Sequence, residues 1–230
     1  MPIALICLDA DDTLWHNMRF FAEAEAAFGA MLAPFAQAGV ARRALAATEL
    51  RNPRHYGYGA KSFTLSTIET ALELGGDALP AAAVRDILAA GRRLLSHPVQ
   101  LLGGVGETLD RLRALGRLVL VTKGDLLHQE AKLAASGLGE RFAGVEIVSD
   151  KSADTFRRLF ARYGVQADQA VMAGDSIRSD VLPALEAGAW AAFIPQPLAW
   201  AHEAGDAPDH PRFRELESLA ELPGWIEGIG

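Results

Sequence analysis

Asp9-Ala10-Asp11-Asp12-Thr13-Leu14 follows a short apolar run, Ile3-Ala4-Leu5-Ile6-Cys7-Leu8, and sets two carboxylates one residue apart at its end. An apolar run of this length bounded by a polar cluster predicts a strand covered on both faces, and open α/β sheets bind ligands at the carboxyl ends of such strands. If the extended path continues, Asp9 and Asp11 point to the same side, and their repulsion invites a hard divalent cation with oxygen ligands, Mg2+. Alone, the same residues also describe a polar turn after a strand.

Comparable strand ends recur further along. Thr122-Lys123-Gly124 follows LVLV and offers a hydroxyl and backbone N–H groups to an oxyanion. Ser149-Asp150-Lys151 follows VEIV and supplies a cation at the same end of the sheet. In VMAGDSIRSD, Gly174-Asp175 stands at another strand end, with Asp180 five residues further on. Taken singly, Thr122 also reads as a helix N-cap and Lys151 as a solvated surface lysine. Their succession along one set of strand ends favours phosphoryl chemistry.

The elements that must position these residues fall into two groups. From about residue 16 to 97 only helical patterns appear, which predicts an inserted all-helical domain. Phe20, Phe21, Ala24, Ala27, Phe28, Met31, Leu32 and Phe35 recur at three-to-four spacing and form one apolar face, closed by Gly39. Further helices are expected over 41–50, over 63–74 ending at Gly75-Gly76, and over 81–95 after Pro80, together a small bundle. From Pro98 strands and helices alternate again. Apolar runs at 118–121, 145–148, 170–173 and 191–194 with helical spacing between them predict βα repeats and a mainly parallel, Rossmann-like sheet with helices on both faces. Residues 1–15 and 98–230 are expected to form this α/β core and 16–97 the insert. Residues 195–211 read as surface loop, with a late strand near 213–217.

At 230 residues the chain is long enough for a large core, and half of it is hydrophobic, as an α/β protein requires. A formal charge of −7 argues against general nucleic-acid binding, which rests on clustered Lys and Arg. Cys7 is the single cysteine, so an intramolecular disulfide and a cysteine metal cage are both excluded, and it reads as a small buried hydrophobe. The N-terminus has no basic n-region, and no stretch reaches the roughly 18 apolar residues of a membrane span. A cytoplasmic protein without membrane partners is expected.

The four motifs, in order and across most of the chain, resemble those of the haloacid dehalogenase-like superfamily of hydrolases. DADDTL resembles its DxDxT motif, Thr122 its strand-end Ser or Thr, Lys151 its motif lysine and GDSIRSD its GDxxxxD motif. The insert resembles the C1-type helical cap of phosphoglycolate phosphatase-like members. The resemblance implies a Mg2+-dependent phosphatase that hydrolyses a small phosphorylated metabolite through an aspartyl phosphate on Asp9. Asp11 is then the acid for the leaving group and the base for the attacking water. Mg2+ is held by the Asp9 carboxylate, the Asp11 backbone carbonyl and Asp175, while Asp180 orients a metal-bound water or Lys151. Thr122 donates to a phosphate oxygen and Lys151 steadies the transition state. Ser149 is an alternative phosphate ligand, and Lys123 is grouped with the substrate-binding residues without an assigned role.

The dehalogenating branch typically lacks a second aspartate, so Asp11 favours phosphate esters. Asp12 stands where a glycine is often seen. A phosphomutase or phosphotransferase of the same superfamily, and a catalytically silent phosphate-binding regulator, are the alternative readings. Arg42, Arg43, Arg51, Arg54 and Lys61 against Glu49 make the insert locally basic. The glycines and aromatics of residues 54–62 suit a loop that closes over a site, where Lys61 with Tyr56 or His55 contacts substrate. The same segment also reads as an ordinary helix connection. His128, His202 and His210 lack metal-ligand spacing, and Trp15, Trp190, Trp200 and Trp225 read as packing residues.

Overall fold

The structure, a computed structural model, describes residues 2–198 and 205–229. It divides into two compact units. One comprises Met1–Met18, Val99–Lys123 and Gln129–Gly230, and the other comprises Arg19–Pro98 and Gly124–His128.

The second unit is helical. It is built from α1 (Met18–Met31), α2 (Ala38–Arg51), the short α3 (Pro53–Tyr56), α4 (Ala60–Gly75) and α5 (Ala81–Ser96). Phe28, Leu32, Leu45, Phe63, Ile87 and Leu94 form its core, with Phe20, Phe21 and Phe35 packed against them. Gly39 lies in the first turn of α2 and does not close the preceding helix. That helix ends earlier because Pro34 has no N–H for the next rung, and the chain leaves through tight turns such as Phe35 N–H to Leu32 O at 2.9 Å. Pro53 opens α3 at a first-turn position, where its missing N–H costs nothing, and so adds a short helix where the sequence suggests a connection.

The first unit holds β1 (Leu5–Leu8), α6 (Val105–Leu115), β2 (Arg117–Lys123), α7 (Leu126–Ser136, shared at its start with the helical unit), β3 (Gly144–Val148), α8 (Ala153–Arg162), β4 (Ala170–Gly174), α9 (Leu182–Glu186), β5 (Trp190–Phe193), β6 (Phe213–Glu215) and α10 (Leu222–Ile229). The strands lie in the order β3-β2-β1-β4-β5-β6, and every neighbouring pair is parallel. Alternation along β1 feeds both faces: Ile6 and Leu8 join the core with Leu109, Leu112 and Ile226, while Leu5 and Cys7 join Phe156, Phe160 and Val181 on the opposite face. This is a doubly wound, Rossmann-like sheet. Helix α10 escapes the sequence reading because Pro223 and Gly224 interrupt its pattern. Pro223 occupies the first turn, and Leu222 and Ile226 are buried.

Strand order reverses between β1 and β4, and a crevice at such a switch point is where doubly wound sheets bind ligands. Leu8 pairs with Ala173 at the ends of these strands, which brings Asp9 beside Gly174. Among the described residues no helix is long and apolar enough to cross a membrane.

Candidate active site

Asp9 leaves β1 still tied to β4, its N–H donating to Ala173 O at 3.0 Å. The chain then turns at once: Leu14 N–H returns to Ala10 O at 2.8 Å and Asp12 N–H reaches Trp15 O at 2.8 Å. Asp12 adopts φ 58°, the left-handed conformation that glycine takes most cheaply. Its carboxylate offsets that strain by accepting from the N–H groups of Asn17 at 2.9 Å and Met18 at 2.8 Å, where α1 begins. The aspartate in the glycine position thus caps a helix. Burial pushes its pKa up to about 6, against the two backbone donors.

Lys151 follows β3 and is 3% exposed. Its ammonium contacts Asp9 Oδ1 and lies 2.6 Å from Asp180 Oδ1. Thr13 Oγ1 donates to the other Asp9 oxygen at 3.2 Å. Asp180 sits in a π-helical turn, Ile177–Val181, and its second oxygen accepts from Ser176 N–H at 3.1 Å. The turn starts before α9 and swings Asp180 back over the end of β4. A Cβ at Gly174 would collide with the Asp180 carboxylate and stand 2.9 Å from Asp9 Cβ, so only glycine fits there.

Asp9, Asp175 and Asp180 can each present an oxygen within 4.8 Å of the others. Asp175 makes no ion pair or side-chain hydrogen bond to another described residue. Burial, then the negative charges of Asp9 and Asp180, push its pKa well above the usual carboxylate range. Burial also raises Asp9 to about 7, with Lys151 opposing and Asp180 adding to the rise. Burial works against the Lys151 ammonium, but Asp180 and Asp9 overcome it and raise its pKa. Two of the three carboxylates share one ammonium and the third has none, and a set of hard oxygen donors that would carry two excess negative charges when ionised fits a divalent cation.

Asp11 is directed elsewhere. Lys132 Nζ spans both its oxygens at 2.6 and 2.7 Å, Gln129 Nε2 donates at 3.0 Å and Trp15 Nε1 at 2.7 Å. Burial alone would raise the pKa of this carboxyl, but these donors, Lys132 foremost, hold it below the usual value. Gln129 also donates to Thr122 Oγ1 at 3.0 Å and to the Lys123 carbonyl at 2.5 Å. Thr122 is buried at the end of β2, and Lys123 Nζ donates to Ser179 Oγ at 2.6 Å, joining β2 to the π-helical turn.

Sequence reasoning thus missed Gln129 and Lys132, and treated Trp15 as packing alone. A signal existed: the two polar residues lie three apart, on one face of the helix that follows Thr122. The insert residues are engaged within the helical unit. Lys61 pairs with Asp125 at 2.8 Å, Tyr56 donates to Glu69 at 2.6 Å, and His55 accepts from Arg54 at 3.1 Å. His128 is buried, edge-on to His97, and Trp190 donates to Asp168 O at 3.0 Å while lying edge-on to Trp225. His210 Nδ1 accepts from Arg212 N–H at 3.1 Å, whereas Trp200 and His202 lie outside the described residues.

The family model of haloacid dehalogenase-like hydrolases matches residues 3–188, and the chain belongs to that family. The chain is 38% identical to a haloacid dehalogenase-like family hydrolase from Xanthomonas campestris, covering 99% of this chain and 91% of that one with a TM-score of 0.90. The same fold occurs in a 2-haloacid dehalogenase from Pseudomonas syringae pv. Tomato DC3000, at 24% identity, TM-score 0.63 and coverage of 99% and 100%. It also occurs in a predicted phosphoglycolate phosphatase from Haemophilus somnus 129pt, at 18% identity, TM-score 0.66 and 97% coverage of both chains. No curated protein matches the sequence.

Proposed function

We propose that this hydrolase is a Mg2+-dependent phosphatase acting on a small phosphorylated metabolite. The observation that carries the reading is the crowding of carboxylates at the switch point: Asp9 and Asp180 share Lys151, Asp175 makes no ion pair among the described residues, and the three ionised together would carry two negative charges more than Lys151 offsets. A reaction that displaces halide with a carboxylate needs no such cation, whereas transfer of a dianionic phosphoryl group does. Asp11 supports the same reading, because a second carboxylate, held by Lys132, stands two residues from Asp9 and can serve as acid and base.

Asp9 is the nucleophile, and its carboxylate oxygen bonds to phosphorus as the bond to the leaving oxygen breaks. Asp175, with the Asp9 carboxylate and the Asp11 carbonyl, would hold Mg2+, which when bound neutralises phosphate charge. Lys151 opposes the upward shift that burial imposes on Asp9 and offsets charge on the transferring group, and Asp180 holds Lys151 in position. Thr122 presents its hydroxyl to a phosphate oxygen, with Lys123 beside it. Asp11, which must first gain a proton against the pull of Lys132, protonates the leaving oxygen, then takes a proton from the water that hydrolyses the aspartyl phosphate. Lys61, Tyr56 and His55 of the helical unit are proposed to read the leaving group.

A panel of phosphorylated metabolites with Mg2+ tests the reading. Release of inorganic phosphate from some members and not others is expected. A hexose phosphate that returns an isomer without free phosphate would identify a phosphomutase, and inertness to the whole panel would favour a regulator.

A further inference from the structure

Lys132 is an odd residue to bury. A lysine immobilised in a protein interior loses rotamer freedom and much of its hydration, and an apolar side chain of similar volume commonly serves stability as well or better. Here Lys132 is almost wholly inaccessible, yet its ammonium is spent on one group, the Asp11 carboxylate, with Asn17 Oδ1 a distant third acceptor at 3.5 Å. By spanning both oxygens at 2.6 and 2.7 Å it fixes the plane of the carboxylate as well as its position. Gln129, one turn earlier on α7, adds a bond to Asp11 and ties it to Thr122 and to the Lys123 carbonyl at the end of β2. Trp15, fully buried, closes the arrangement from the turn after β1.

We infer that Lys132 is a positioning residue for the second half-reaction: with Gln129 it sets the place and plane of the Asp11 carboxylate, which takes a proton from the hydrolytic water in exchange for one of the four hydrogen bonds it accepts here. The inference rests on the phosphatase reading above. In that step the water oxygen bonds to phosphorus while the bond from phosphorus to the Asp9 oxygen breaks. The water's proton passes to Asp11, Asp9 keeps the electron pair as a free carboxylate, and inorganic phosphate leaves. Displacing a base by about 1 Å costs on the order of a hundredfold in rate. A substrate with a good leaving group needs little acid assistance, so the loss should fall on dephosphorylation.

The test uses the full chain with Mg2+ and 32P-labelled p-nitrophenyl phosphate, in rapid acid quench. Lys132→Met should give a burst of about one equivalent of nitrophenol, accumulate labelled enzyme and turn over about a hundredfold more slowly. Lys132→Arg should restore a tenth or more of the rate. Asp11→Asn and the Asp11→Asn/Lys132→Met double variant should be equally slow, because Lys132 acts through Asp11. Slow turnover of Lys132→Met without labelled enzyme, or additive losses in the double variant, overturns the inference. If Lys132→Met does not fold, Gln129→Met carries the same burst test. Wild type that neither turns over nor becomes labelled defeats the phosphatase reading itself. Wild type that turns over, an inert Asp9→Asn and no burst in Lys132→Met defeat the inference alone.

Discussion

The Lys151 ammonium lies 2.6 Å from the Asp180 carboxylate, and both side chains are buried, at 3% and 1% exposure. Removing one member of such a pair leaves an uncompensated charge and costs about 3–5 kcal/mol. In Lys151→Met three carboxylates would stand together without a cation from the protein. A large drop in thermal unfolding temperature is expected in EDTA, with part of it recovered by Mg2+, and differential scanning calorimetry reads both.

Asp175 predicts opposite signs for stability and binding. It is raised by burial and by the charges of Asp9 and Asp180, so Asp175→Asn relieves repulsion and leaves the metal-free protein as stable or more so. Mg2+ at a hundred times its Kd should stabilise the wild type by about 2.7 kcal/mol, and the variant much less. A wild-type-sized Mg2+ shift in Asp175→Asn would exclude Asp175 as a ligand.

The pH dependence follows from Asp9. Its folded pKa of about 7 exceeds the ordinary carboxylate value, so between those two values the unfolded chain releases a proton that the folded protein keeps. Metal-free stability should therefore fall as pH rises from about 4 to 7 and level off above. Saturating Mg2+ should flatten this slope, which urea unfolding at several pH values measures.

Glu49 makes a similar prediction within the helical unit. Burial, and then Glu25, push its pKa up to about 7. The penalty is absent at low pH, grows as pH passes from the unfolded value to 7, and persists above. Glu49→Gln should raise stability at pH 8 by an amount on the order of 1–3 kcal/mol and leave it nearly unchanged at pH 4.

Asp12 separates strain from capping. Asp12→Ala keeps φ 58° and loses both bonds to Asn17 and Met18, for a cost of about 2–3 kcal/mol. Asp12→Gly loses the bonds but not the conformation, and should cost less. Equal losses in chemical denaturation would show that the backbone is not strained.

Much of this was legible in the sequence because strand ends in a parallel sheet are marked by abrupt changes from apolar to polar residues. β1 and β4 each end that way, and Asp9 and Asp175 come together because the two strands are neighbours. The Asp11 clamp was hidden because Gln129 and Lys132 belong to a helix, where polar residues are ordinarily solvated, and only tertiary packing turns their face inward. The π-helical turn was equally hidden, since IRSDV reads as the start of a regular helix. α1 ends before Gly39 because the missing N–H of Pro34 is a stronger stop than a glycine.

In the proposed reaction the Asp9 carboxylate attacks phosphorus with a divalent cation beside it. The most direct measurement compares phosphate release from p-nitrophenyl phosphate with chloride release from 2-chloropropionate, for wild type and Asp9→Asn, in Mg2+ and in EDTA. Phosphate release that requires both Mg2+ and Asp9, without chloride release, is the predicted result. Chloride release that persists in EDTA, with no phosphate release, would contradict the account.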